Sequence, residues 1–191
     1  GDPTFYDRAG NLLLGQAGCA PLLMLGFVQL ADPEPVRRAV LQLQREVVQD
    51  PYVQDFPSLA KTAVAFHASD DLPEICFRVF KLLADLDFQA QFIVARKIER
   101  VFRDTFQANE GAFYDHLVAT LLERVLHTHQ HNYVYIARRG SRARQLPLNQ
   151  AIKCAIKRFR AKWKVDIIPT YSLQVQNPSG EPCLSIVDYM N

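Results

Sequence analysis

Short apolar runs alternate along this chain with stretches whose apolar residues recur at helical spacing, and that alternation constrains the fold more than any other feature. Leu22 to Leu30 is nearly continuous in Leu, Met, Phe and Val, as expected of a strand covered on both faces. Asp32-Pro33-Glu34 then supplies an N-cap, a first-turn proline and a first-turn acid. Val36, Val40, Leu43 and Val47 follow at helical spacing until Asp50-Pro51. Thr62 to Phe66 reads as a short strand. Asp71 and Glu74 have the spacing of a capping box, ahead of a wide apolar stripe from Leu72 to Leu86.

Farther on, Phe88 to Ala95 and Tyr133 to Ala137 are strand-like, and Ile98 to Phe106, Phe113 to His127 and Leu148 to Lys164 are helical. Val165 to Tyr171 reads as an edge strand because Pro169 has no N–H to give a ladder, and Cys183 to Asn191 opens a last helix. The pattern predicts a single α/β domain over residues 1–191, with a mixed, mostly parallel sheet of about five strands and helices on both faces. In such sheets ligands lie beyond the carboxyl ends of strands, which directs attention to the residues after Phe66, Ala95 and Ala137.

A chain of 191 residues, 49% of them hydrophobic, can bury a full core without disulfide or metal support. Cys19, Cys76, Cys154 and Cys183 are far apart and lack metal-ligand spacing, so they are expected to be buried free thiols. No apolar run approaches the roughly 18 residues of a membrane span, which predicts no membrane partner. The chain begins at Gly1 without a charged-then-apolar leader, so it reads as a piece of a cytoplasmic protein, truncated at both ends, rather than a secreted precursor.

The net charge of +2 conceals a strong division. Ten of the 22 Lys and Arg lie between Arg138 and Lys164, a segment with none of the 20 Asp and Glu, so the remainder is net acidic by 8. Such asymmetry points to a polyanionic partner. Lys153, Lys157, Arg160 and Lys164 fall within about 60° of one another on a helical wheel, about 90° from a stripe of Ile152, Ile156, Phe159 and Trp163. A helix so built packs by the stripe and offers its cations to phosphates. Arg138, Arg139, Arg142 and Arg144 join that surface if their loop lies beside the helix. The plainer reading is a solvated helix face or a site for an acidic protein.

Phe66-His67-Ala68-Ser69-Asp70-Asp71 places imidazole, hydroxyl and carboxylate between an expected strand end and a helix start, so His67 and Asp70 are candidate catalytic residues, with Asp71 assigned to capping. His127, His129 and His131 alternate, but Gln130 and Asn132 mark an exposed loop rather than a metal site. Dinucleotide, phosphate-loop and serine-hydrolase glycine motifs are absent.

Gly1-Asp2-Pro3, Phe27-Val28, Phe66-His67-Ala68 and Asp188-Tyr189 together resemble the bacterial and archaeal family catalogued as domain of unknown function 3800, over nearly the whole chain. Members open on Asp-Glu-Ser-Gly, often followed by Asp-Pro, and close on a helix with Leu-Gln-x-x-Asp-Tyr. Here the leading Asp-Glu-Ser is absent and Ser185 replaces the Gln. The resemblance implies a ribonuclease-H-like fold and a nuclease dependent on Mg²⁺ or Mn²⁺. It makes Asp188 a catalytic residue and, with Asp2, a metal ligand, beside His67 within about 10 Å. The alternative is a non-catalytic module of the same fold that binds nucleic acid or a protein through its basic face alone.

Overall fold

The computed structural model describes residues 4–7, 9–138, 144–166 and 168–190. They form two compact units. One draws its described residues from Gly1–Gly26, Phe92–Val134 and Arg144–Leu173, the other from Phe27–Gln91, Tyr135–Ala143 and Gln174–Asn191. Four of the five boundaries fall inside strands.

The second unit is built on helices. Asp32 caps α1 (Pro33–Val48) by accepting the Glu34 N–H at 3.0 Å, and prolines fill its first turn, where a missing N–H costs no intrahelical hydrogen bond. α1 buries Val36, Val40 and Val47 against Ile75, Val79 and Leu83 of α3 (Pro73–Ala84) and Ile186 and Tyr189 of α7 (Cys183–Met190). Phe66 enters the same core from the segment after the short α2 (Leu59–Thr62). The first unit has its own core, in which Phe5 stacks on Phe102 of α4 (Glu99–Phe106) at 3.9 Å and meets Phe113 of α5 (Glu110–Leu122) edge-on at 5.5 Å. α5 also packs along α6 (Gln145–Trp163).

The five-strand, mostly parallel, ribonuclease-H-like sheet with helices on both faces does not form. Among the described residues, four strands make two separate two-stranded sheets. β1 (Leu22–Gln29) and β2 (Gln89–Arg96) run antiparallel, the Lys97 N–H just past β2 bonding the Pro21 carbonyl just ahead of β1 at 2.9 Å. β3 (His131–Ala137) and β4 (Thr170–Gln176) run parallel, as bonds from Thr170 N–H to the Gln130 carbonyl and from Arg138 N–H to the Gln176 carbonyl require. The helix α6 makes the crossover that parallel neighbours need. β1 is not covered on both faces either; Leu23 alone of its residues is fully buried.

Two expected strands are displaced for local reasons. Thr62 to Phe66 continues from α2 through turns, with Ala63 and Val64 amides bonded to the Leu59 and Lys61 carbonyls, and its alanines favour that path over a ladder. The strand expected over Val165 to Tyr171 starts at Thr170, directly after the buried Pro169, which cannot donate. The capping box before α3 is also absent. Leu72 occupies the cap position without a side-chain bond, and Asp71 turns inward. The cysteines are all free, and Cys183 alone among them is fully buried, its thiol pushed up to about 12 chiefly by burial.

Candidate functional site

Asp71 organises the segment that carries His67. Its carboxylate accepts the Thr62 hydroxyl at 2.5 Å, the His67 N–H at 2.7 Å and the Tyr189 hydroxyl at 2.6 Å. Amides of Asp70 and Asp71 return to the His67 carbonyl at 3.0 and 2.9 Å, closing a tight turn. Burial, followed by the Asp71 carboxylate, pushes the Tyr189 phenol far above its ordinary range, so it stays a donor. One buried acid thereby ties the His67 turn to α7.

Asp188 precedes Tyr189 on α7 and reaches the same turn from its solvent side. Its Oδ2 accepts the Ala68 N–H at 2.8 Å and lies 3.3 Å from His67 Nδ1, well inside the expected separation. Ser69 Oγ stands 3.1 Å from that same Nδ1. A serine–histidine–carboxylate relay needs hydroxyl and acid on opposite ring nitrogens, so these three residues are not one. His67 Nε2 has no described contact, and the side chain is 52% exposed. Asp70 adjoins the pair but bonds Lys61 Nζ at 3.0 Å, which holds its carboxyl below the ordinary range. Asp2 lies outside the described residues.

The described residues do not by themselves fit Mg²⁺ or Mn²⁺. Asp188 faces an amide and an imidazole, Asp70 is paired with a lysine, and Asp71 is saturated by three donors. No group of three or more His, Cys, Asp or Glu among the described residues is arranged to hold a metal. A cation at Asp188 requires ligands from elsewhere.

The cations expected to form one basic surface divide into several environments. Lys153 and Lys157 are exposed on successive turns of α6 and make no ion pair with a described residue. Lys164 is exposed where the helix ends in a left-handed conformation (φ 50°). Arg160 bonds Asp166 at 3.2 Å. Arg144 is spent on packing: its Nη2 reaches both Asp115 oxygens at 2.9 Å and its guanidinium lies over Tyr114 at 5.5 Å. Burial raises the Asp115 carboxyl even against that cation. Arg138 is exposed at the end of β3, in the unit that does not contain α6, and Arg139 and Arg142 lie outside the described residues.

Two features had no sequence signal. Arg37 forks onto Glu181 at 2.6 to 3.1 Å, 144 positions away, and the buried Glu181 also takes the Cys183 amide at the start of α7. Burial works against the Glu181 charge, but these bonds outweigh it and hold the carboxyl below its usual range. The second is the failure of the α6 apolar stripe to be buried to its end, which leaves Trp163 54% exposed. The amphipathic wheel pointed to the reverse.

No family model, no curated protein and no solved structure matches the chain. None of the described helices is long and apolar enough to cross a membrane.

Proposed function

We propose that this protein acts on nucleic acid, cleaving a phosphodiester at the His67–Asp188 pair. The observation that carries the reading is the meeting of the two segments, with Ala68 and Asp188 bonded across 120 positions and an exposed imidazole held between them. These are also the segments, Phe66-His67-Ala68 and Asp188-Tyr189, that carry the resemblance to the family of unknown function. With Asp188 Oδ2 and Ser69 Oγ both on the Nδ1 side of the ring, Nε2 is left as the base toward solvent. There it takes a proton from the attacking water and returns it to the leaving oxygen.

Cleavage of single-stranded and duplex DNA and RNA by the full chain tests this, with and without added Mg²⁺ or Mn²⁺. His67→Gln and Asp188→Asn are each expected to lose about 10²- to 10⁴-fold in rate. Unchanged rates in both variants would overturn the site. A second reading, a non-catalytic nucleic-acid-binding module, is favoured by Lys153 and Lys157, exposed and without an ion-pair partner among the described residues. It expects binding without turnover, unaffected by either substitution.

A further inference from the structure

We propose that the C-terminal end of α6 is a stacking platform for single-stranded nucleic acid, with Trp163 as the base-contacting face; the inference rests on nucleic acid being the ligand. The helix buries Leu148, Ala151, Ile152 and Ala155, and beyond Ala155 none of its residues is fully buried. Phe159 lies against His127, ring centroids 3.8 Å apart and planes 14° from parallel. Trp163 follows at 6.3 Å, tilted by 39° and open to water. A stacked His127–Phe159 pair thus leads to a tilted, exposed indole at the end of the helix.

Charge identifies what that indole can receive. α6 contains no Asp or Glu. Lys162 Nζ sits 5.9 Å from the Trp163 ring centre, while Arg160 and Lys164 lie about 60° and about 100° around the helix from it, on the side of Lys153 and Lys157. A ligand that suits this surface brings anions at regular intervals and flat π faces between them. Single strands offer both, since their bases are free to stack, whereas a duplex keeps its bases within itself. A membrane surface is the poorer match, because the helix has turned its aliphatic stripe into the core and has one ring left to insert.

The cluster also carries polar groups left without partners. Among the described residues, the two buried side-chain polar atoms without a partner, His127 Nδ1 and Arg160 Nε, both belong to it, and such groups cost free energy.

Trp163 is the sole tryptophan, so its emission reports on this one position. The full chain is titrated at about 50 mM salt with a 15-nucleotide oligo(dT) or oligo(U), a duplex of equal phosphate number, heparin, and phosphatidylserine vesicles. Saturable quenching by the single strands is expected, with weaker quenching by duplex and little by heparin. Trp163→Leu is expected to weaken single-strand binding by about 5- to 100-fold while leaving heparin affinity and the unfolding midpoint in place, and Trp163→Phe to recover part of the loss.

Unchanged single-strand affinity in Trp163→Leu, or equal quenching by heparin, overturns the platform. If duplex then still binds with a steep salt dependence, nucleic acid remains the ligand and only stacking fails. If no nucleic acid binds, both fail, whether or not the vesicles or an acidic protein such as a polyglutamate do.

Discussion

The buried acids of the α1–α3–α7 core and the exposed cations of α6 handle charge in opposite ways. Asp71 and Glu181 are almost fully enclosed, and each is answered by several donors, including one residue distant in sequence, Tyr189 for Asp71 and Arg37 for Glu181. Lys153 and Lys157 are exposed on a helix and form no ion pair with a described residue. Charges of the first kind determine where backbone goes, so losing one is felt as stability. Charges of the second kind are free to meet a ligand, so losing one is felt as affinity. Proteins can place both in one chain because desolvation is costly only where water is excluded.

Breaking the pair at α7 is expected to have the largest effect. Arg37→Leu leaves Glu181 buried without its guanidinium, and urea unfolding should show a loss of about 3 to 5 kcal/mol. pH sharpens the result. Because the folded Glu181 carboxyl lies below its unfolded value, its contribution is present above the ordinary carboxylate range and fades as pH falls through the folded value. Stability should therefore decline on acidification, and the slope should be shallower in Arg37→Leu. An equal slope in both proteins would show that Glu181 is not the titrating group.

Asp71→Ala comes next, at about 2 to 4 kcal/mol, since it strands the Thr62 hydroxyl, the His67 amide and the Tyr189 hydroxyl together. Tyr189→Phe removes one of those bonds and should cost about 1 kcal/mol. Chemical shifts of the His67 ring should move in both variants, because the turn that aims it has lost its anchor. An Asp71→Ala protein as stable as the parent would mean that the clamp does not hold the turn.

The Lys153→Gln, Lys157→Gln double variant should have the converse profile. Unfolding free energy is expected to stay within about 0.5 kcal/mol, while the log–log salt slope of nucleic-acid binding should fall by nearly two units. Loss of stability with an unchanged slope would erase the distinction between the two regions.

What could be read in the sequence follows the same division. The bodies of α1, α3 and α6, and of β1, β2 and β3, lie close to where periodicity and punctuation put them, because caps, prolines and apolar spacing act within one element. Strand partners were not legible. Nothing local tells β2 to run against β1 or separates that pair from β3 and β4. Asp71 looked like a helix cap from its spacing to Glu74, yet Thr62 and Tyr189 compete for it from positions that no local rule connects. Arg144 likewise counted as a free cation until α5 presented Asp115 to it. The proximity of His67 and Asp188 was reached through motif resemblance, not through residue spacing.

The smallest expected effect concerns Asp166, the first acid after the cation run. Its side chain is fully exposed, and it pairs with Arg160 at 3.2 Å, so it contributes little to stability, and Asp166→Asn should leave the unfolding midpoint where it was. It is nevertheless, among the described residues, the one acid in an ion pair with the cations on that face of α6. Removing it frees Arg160 and raises the local positive potential, and single-strand affinity at about 50 mM salt should rise roughly threefold, mostly in the association rate. The gain should vanish near 1 M salt, where the screening length shrinks to about 3 Å. A gain that persists at high salt would mean that Asp166 acts by shape rather than charge, and a loss of affinity would mean that Arg160 needs its partner to face the ligand.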